Sequence, residues 1–119
     1  MMRREPCIDV RALAEVTGGD VALERELFRR FARMSASDAG ALRVAIMRRD
    51  CPLAVQLAHR LRGASATLGA SQLAAVCARI ERGARDGDIT SLEGALVELE
   101  VQYGRVLEYI SAGTRDADR

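Results

Sequence analysis

Apolar residues recur along this chain at three- and four-residue steps, the spacing of helices that bury one face. Leu23, Leu27, Phe28, Phe31 and Met34 form one such run behind Asp20, a good N-cap. Before it, Ile8, Ala12, Leu13 and Val16 predict a short helix from Ile8 to Val16, ended by Gly18-Gly19. Ser35 to Asp38 reads as punctuation, with Ser35 or Ser37 capping a helix that carries Leu42, Ala45, Ile46 and Arg49 and stops near Asp50. Pro52 suits the first turn of the next helix, where its missing N–H costs nothing. That helix has Leu53, Leu57, Leu61, Ala64 and Leu68 on one stripe, and Gly69 is placed to end it in the left-handed conformation. Ser71 starts a helix bearing Leu73, Val76, Cys77, Ile80 and Ala84. Asp86-Gly87-Asp88 is a turn, and Thr90 with Glu93 has capping-box spacing. Leu92, Leu96, Leu99, Tyr103, Val106 and Ile110 then alternate four- and three-residue steps, a seam packed on neighbouring helices.

Short loops between long amphipathic helices imply an all-α fold, an antiparallel up-and-down four-helix bundle with a short additional N-terminal helix. The expected organisation is a flexible leader over residues 1–7, one bundle over 8–112 and a flexible polar tail over 113–119. At 119 residues the chain has room for one domain. With 49% hydrophobic and only 3% aromatic residues, the core must be built mostly of Leu, Ala, Val and Ile.

Charge and chemistry narrow the function. A formal net charge of +1 argues against nucleic acid as partner, which needs a basic footprint. No apolar run is long enough to span a bilayer, and Met1 to Pro6 lacks the apolar core of a signal peptide, so a cytoplasmic location is expected. The start methionines and short tails point to a free-standing protein, and a monomer is expected. Cys7, Cys51 and Cys77 are far apart and form no CxxC pair, which reads as reduced thiols with Cys77 in the core. No His, Cys and carboxylate cluster has metal-ligand spacing, so no metal site is expected.

His59 is the single histidine. Rotating about 100° per residue places it nearly opposite the Leu57–Leu61–Leu68 stripe, where a core histidine would not lie. Val55, Gly63, Ala66 and Ala70 share its outward face, a small apolar patch that can accept a flat partner surface. Glycine inside a helix costs roughly 1 kcal/mol relative to alanine. At Gly63, one turn after His59, that cost has a use, because it removes a side chain where something must approach the imidazole. Arg60 and Arg62 flank the region and can bind an anion or steer docking to an acidic pocket. The alternative for both is a solvated rim. A neutral imidazole is a competent nucleophile near neutral pH. A polar residue on an adjacent helix could hold its other nitrogen, and Glu81 is the candidate, against the alternative of a generic surface glutamate.

The stretch Ala58-His59-Arg60-Leu61-Arg62-Gly63-Ala64-Ser65-Ala66-Thr67-Leu68-Gly69-Ala70 resembles the signature of histidine-containing phosphotransfer (HPt) domains, roughly A-H-x-L-K-G-x-S-x-x-x-G-A. Leu73, Cys77 and Ile80-Glu81 resemble its continuation, and the likeness reaches from about Ile8 to Ile110. The resemblance implies a four-helix bundle with an exposed phosphorylated histidine. It implies phosphorylation of Nε2 and exchange with the aspartate of receiver domains in a multistep two-component phosphorelay. His59 takes the phosphoacceptor position, Arg62 that of a lysine near the phosphoryl group, Gly63 that of the glycine permitting approach, and Glu81 that of a glutamine or glutamate near the imidazole. Val55, Arg60, Ala66 and Ala70 are the expected docking residues. Arg62 departs from the pattern, keeping the charge but exchanging a compact ammonium for a planar group.

The implied partners are response-regulator receiver domains and a hybrid sensor histidine kinase. No cofactor is expected on this chain, with Mg²⁺ in the receiver's acidic pocket. There is no Walker-type glycine loop and no run of Asn, so the chain is read as a phosphocarrier without kinase activity of its own. The rivals are an HPt-like adaptor that binds a receiver or kinase without phosphotransfer, and a helical oligomerisation bundle in which His59 is incidental.

Overall fold

The computed structural model describes residues 6–117, and their regular structure is helical. The helices are α1 (Val10–Thr17), α2 (Val21–Met47), α3 (Cys51–Thr67), α4 (Ser71–Arg85) and α5 (Ile89–Ala117). Of the expected leader and tail, residues 1–5 and 118–119 lie outside the described residues, and the backbone of 113–117 belongs to α5.

Aspartates start most of these helices. Asp9 accepts from the N–H groups of Arg11 and Ala12, Asp20 from Leu23, Asp50 from Leu53 and Asp88 from Ser91. Each satisfies backbone donors that a helix start leaves open, worth typically about 1 kcal/mol. The capping box expected at Thr90 and Glu93 is therefore displaced, because Asp88 caps α5 and Thr90 already lies within it.

Glycines shape two of the turns. Gly18 ends α1 at φ 64°, and Gly69 follows α3 at φ 77°. Gly69 is also pinned by contact, since a Cβ there would stand 2.5 Å from the Asp9 carbonyl oxygen. The Asp9 N–H donates to the Gly69 carbonyl at 2.7 Å, which latches the entry of α1 onto the α3–α4 turn.

The break expected at Ser35–Asp38 does not exist, and α2 runs through it as one helix of 27 residues. Ser35 is buried at a core position, where its hydroxyl meets the Tyr103 hydroxyl of α5 at 2.9 Å. A serine whose hydrogen bond is closed by a distant partner continues a helix instead of capping one. With that correction the long helices number four, and each packs on two others: α2 on α3 and α5, and α4 on α3 and α5. This closed ring is the expected bundle, and α1 lies across α2 and α3.

The core contains Leu42, Leu61, Leu68, Leu73, Ile80, Leu92 and Val106. Several expected core positions are instead exposed: Val16, Leu23, Met34 and Leu53. On α3 the buried stripe is rotated away from Leu53 toward Ala54, Ala58 and Ser65. Those three are small, so a search for large apolar side chains misplaces its centre. Cys77 is fully buried, as expected of a core thiol, and burial pushes its pKa up to about 12.

Candidate functional site

The α3 pattern that buries Leu57, Ala58, Leu61 and Ser65 turns His59 outward, and its side chain is 63% exposed. Gly63 and Ala66 are exposed on the same face, and Val55 is half-buried. A Cβ on Gly63 would meet nothing within 4 Å, so no contact inside the chain demands glycine there. Ala70 is a correction: it is fully buried at the N-cap of α4. The helical projection that put Ala70 beside His59 fails because α3 ends at Thr67 and the chain turns at Gly69.

The structure brings Glu81 from α4 to His59. The imidazole Nδ1 lies 3.2 Å from Glu81 Oε1 and 3.3 Å from Oε2. The Glu81 side chain is only 5% exposed, although it belongs to a charged residue. A buried carboxylate is costly unless paired, and this one is paired three times. Arg62 Nε stands 3.3 Å from Oε1, and Arg85 Nη2 stands 2.8 Å from Oε2. His59 supplies the third partner.

Arg62 also reaches the imidazole, with Nη2 at 3.0 Å from Nδ1. Glu81 and Arg62 therefore compete for one nitrogen. An Nδ1 that carries the proton donates to the carboxylate, whereas a bare Nδ1 accepts from the guanidinium. Among the described residues the hydrogen bonds of His59 all fall on Nδ1, and Nε2 takes part in none of them. The Nδ1–H form leaves the Nε2 lone pair available as a nucleophile.

Arg60 points elsewhere. Its Nε and Nη2 donate to the two carboxylate oxygens of Asp38 on α2, at 2.8 and 2.7 Å. The Asp38 carboxylate raises the Arg60 pKa above its ordinary value. Beside this pair an apolar groove of about 190 Å³ runs between α2 and α3, lined in part by Leu27, Phe31, Met34 and Ala64.

Two residues of this region were not singled out from the sequence. Arg85 follows Glu81 by one helical turn, a spacing that signals a local ion pair but not that the glutamate is buried. Asp38 carries no sequence signal, because its partner is 22 residues away. Among the described residues, no group of three or more His, Cys, Asp or Glu could hold a metal ion, and no helix is long and apolar enough to cross a membrane.

A family model described as the Hpt domain matches residues 26–109. The structure is similar to the crystal structure of histidine-containing phosphotransfer protein B (HptB) from Pseudomonas aeruginosa PAO1, with a TM-score of 0.86 and 23% sequence identity. That match covers 95% of this chain and 98% of the other, and at this identity it bears on the fold. No curated protein matches the chain by sequence.

Proposed function

Because the chain belongs to the Hpt domain family, the histidine phosphotransfer proteins of phosphorelays, we propose that His59 is its phosphoacceptor and that Nε2 is the reacting nitrogen. The observation that carries this reading is the asymmetry of the imidazole, whose Nδ1 is engaged by a buried glutamate while the ring stays exposed.

In the proposed step a receiver's phospho-aspartate presents phosphorus in line with Nε2. The Nε2–P bond forms as the P–O bond to the aspartate breaks, and the aspartate leaves as a carboxylate with the bonding pair. The Nδ1 proton stays in place, so the ring acquires positive charge, and Glu81 lies within 3.2 Å to balance it. Transfer of this kind depends mainly on positioning and charge neutralisation. Arg62 is the guanidinium beside the ring and supplies the positive charge for the phosphoryl oxygens. Arg60, held by Asp38, lies on the docking rim with Val55 and Ala66, and Gly63 leaves room for the receiver. Mg²⁺ is supplied in the receiver's pocket. A cytoplasmic site of action, receiver domains and a hybrid sensor kinase as partners, and a monomeric state complete the proposal.

The test is incubation of the purified protein with a phosphorylated receiver domain. Acid-labile, alkali-stable label should appear on the wild type and be absent from His59→Gln. Tight receiver binding with no label on the wild type would assign the chain to the docking-only adaptors instead.

A further inference from the structure

Resting on the reading of His59 as phosphoacceptor, we propose that Arg85 is a positioning residue for transfer, holding Glu81 in place so that Arg62 is free to leave it for the phosphoryl group.

Arg85 is a bland residue by ordinary standards. A Glu–Arg pair at i and i+4 on an exposed helix face contributes little to stability. What changes its weight here is the burial of one partner. The Glu81 side chain is 5% exposed while that of Arg85 is 61% exposed, so the arginine reaches in from the surface to a sequestered carboxylate. Its 2.8 Å contact on Oε2 is shorter than either of the distances from Arg62 Nε or His59 to Glu81.

The geometry of the cluster divides labour between the two arginines. Arg62 is shared, with Nε on Glu81 Oε1 and Nη2 beside the imidazole. Arg85 contacts the other oxygen of the carboxylate, Oε2, which itself lies 3.3 Å from Nδ1, and among the described residues no hydrogen bond or ion pair joins Arg85 directly to His59. When phosphorus arrives at Nε2, three anionic oxygens come with it, and Arg62 is the nearer guanidinium that can turn to them. Glu81 would then lose one of its two cations while still having to hold the Nδ1 proton of a ring that has become positive. Arg85 keeps the carboxylate paired through that exchange. Without it, Arg62 is the one guanidinium left to the buried carboxylate, and the two pair with each other, which draws Arg62 from the phosphoryl group and the carboxylate from Nδ1.

Arg85 therefore acts through Glu81 on two quantities, the tautomer of His59 and the freedom of Arg62. Because His59 is the single histidine, its imidazole nitrogens give unambiguous ¹⁵N signals in the full chain. In the wild type they should report a predominant Nδ1–H form. In Arg85→Ala the proportion of Nε2–H should rise, and phosphotransfer from a phosphorylated receiver should slow about tenfold, by analogy with the lower end of the loss when outer-shell partners of metal-bound histidines are removed. Arg85→Lys should restore both readouts most of the way, and Arg85→Gln neither, whereas a merely structural arginine would leave the tautomer unmoved. Circular dichroism of each variant reports whether the bundle is intact, which the exposure of Arg85 leads one to expect. An Arg85→Ala protein with wild-type ¹⁵N signals and a transfer rate within twofold of wild type overturns the inference. If the wild type accepts no phosphoryl group, the functional reading fails instead, and the ¹⁵N comparison still decides whether Arg85 sets the state of the imidazole.

Discussion

The guanidinium of Arg60 is gripped by Asp38 through two hydrogen bonds, of 2.8 and 2.7 Å, that tie α3 to α2 beside the exposed His59. Arg62, two residues on, instead lies against the imidazole and the buried Glu81. Two arginines that look equivalent in sequence thus face different tasks. The tethered Arg60 is expected to matter for docking, and Arg62 for the transfer step.

Kinetics with a phosphorylated receiver separates these roles. Arg62→Ala should lower the saturated transfer rate about tenfold, the loss expected for a charge-assisted hydrogen bond of roughly 1.5 kcal/mol made to the reacting group. Arg60→Ala should leave that rate within about threefold and act on the receiver concentration needed for half-saturation. A larger effect of Arg60 on the saturated rate would reverse the assignment.

Gly63 offers an unusual opposition of stability and function. Its Cβ would meet nothing in the chain, so Gly63→Ala removes a helix-breaking residue at no packing cost. The substitution should raise stability by up to about 1 kcal/mol, read from denaturant melts. Receiver-dependent phosphorylation should fall, and Gly63→Leu should abolish it while the bundle stays folded. If Gly63→Leu accepts phosphoryl groups at the wild-type rate, the partner does not press against this face.

The bundle was legible because its buried positions repeat at helical spacing, and the exposure of His59 followed from the same geometry. The false break at Ser35–Asp38 came from polarity: Ser35 occupies a core position, and the hydroxyl that satisfies it belongs to Tyr103, 68 residues away. Ala70 was misplaced because a helical projection does not know where the helix stops. Glu81 could be read as a neighbour of the imidazole but not as buried, since burial depends on how α3 and α4 pack. For the same reason the Glu81–Arg85 spacing was visible and its consequence was not. Asp38 and Arg60 had no local relation to read.

The Ser35–Tyr103 contact makes a prediction about stability. The two hydroxyls bridge α2 and α5 at 2.9 Å, with Ser35 only 2% exposed. Net stabilisation by such a bond is about 1 kcal/mol. Ser35→Ala and Tyr103→Phe should each lower unfolding stability by about that amount, and the double variant by little more than either alone. Strict additivity in this double-mutant cycle would mean that the bond contributes nothing.

Cys77 gives the prediction that depends on pH. Burial raises its thiol pKa from 9.0 to about 12, and the charge of Arg62 lowers it only partly. In the unfolded chain the thiol ionises near its ordinary value, so between about pH 9 and pH 12 the native state retains a proton that the unfolded state releases. The unfolded state then binds fewer protons, and stability falls as pH rises through that window. Below it, the buried thiol is protonated in both states and its contribution is constant. The thiolate is also the reactive species. At pH 8.5, therefore, an alkylating reagent should label the half-buried Cys7 and Cys51 while Cys77 stays unmodified until denaturant is added. Cys77→Ser should narrow the loss of stability between pH 9 and pH 12, because a hydroxyl does not ionise there. Rapid alkylation of native Cys77 would mean that α4 opens far more readily than its buried contacts allow.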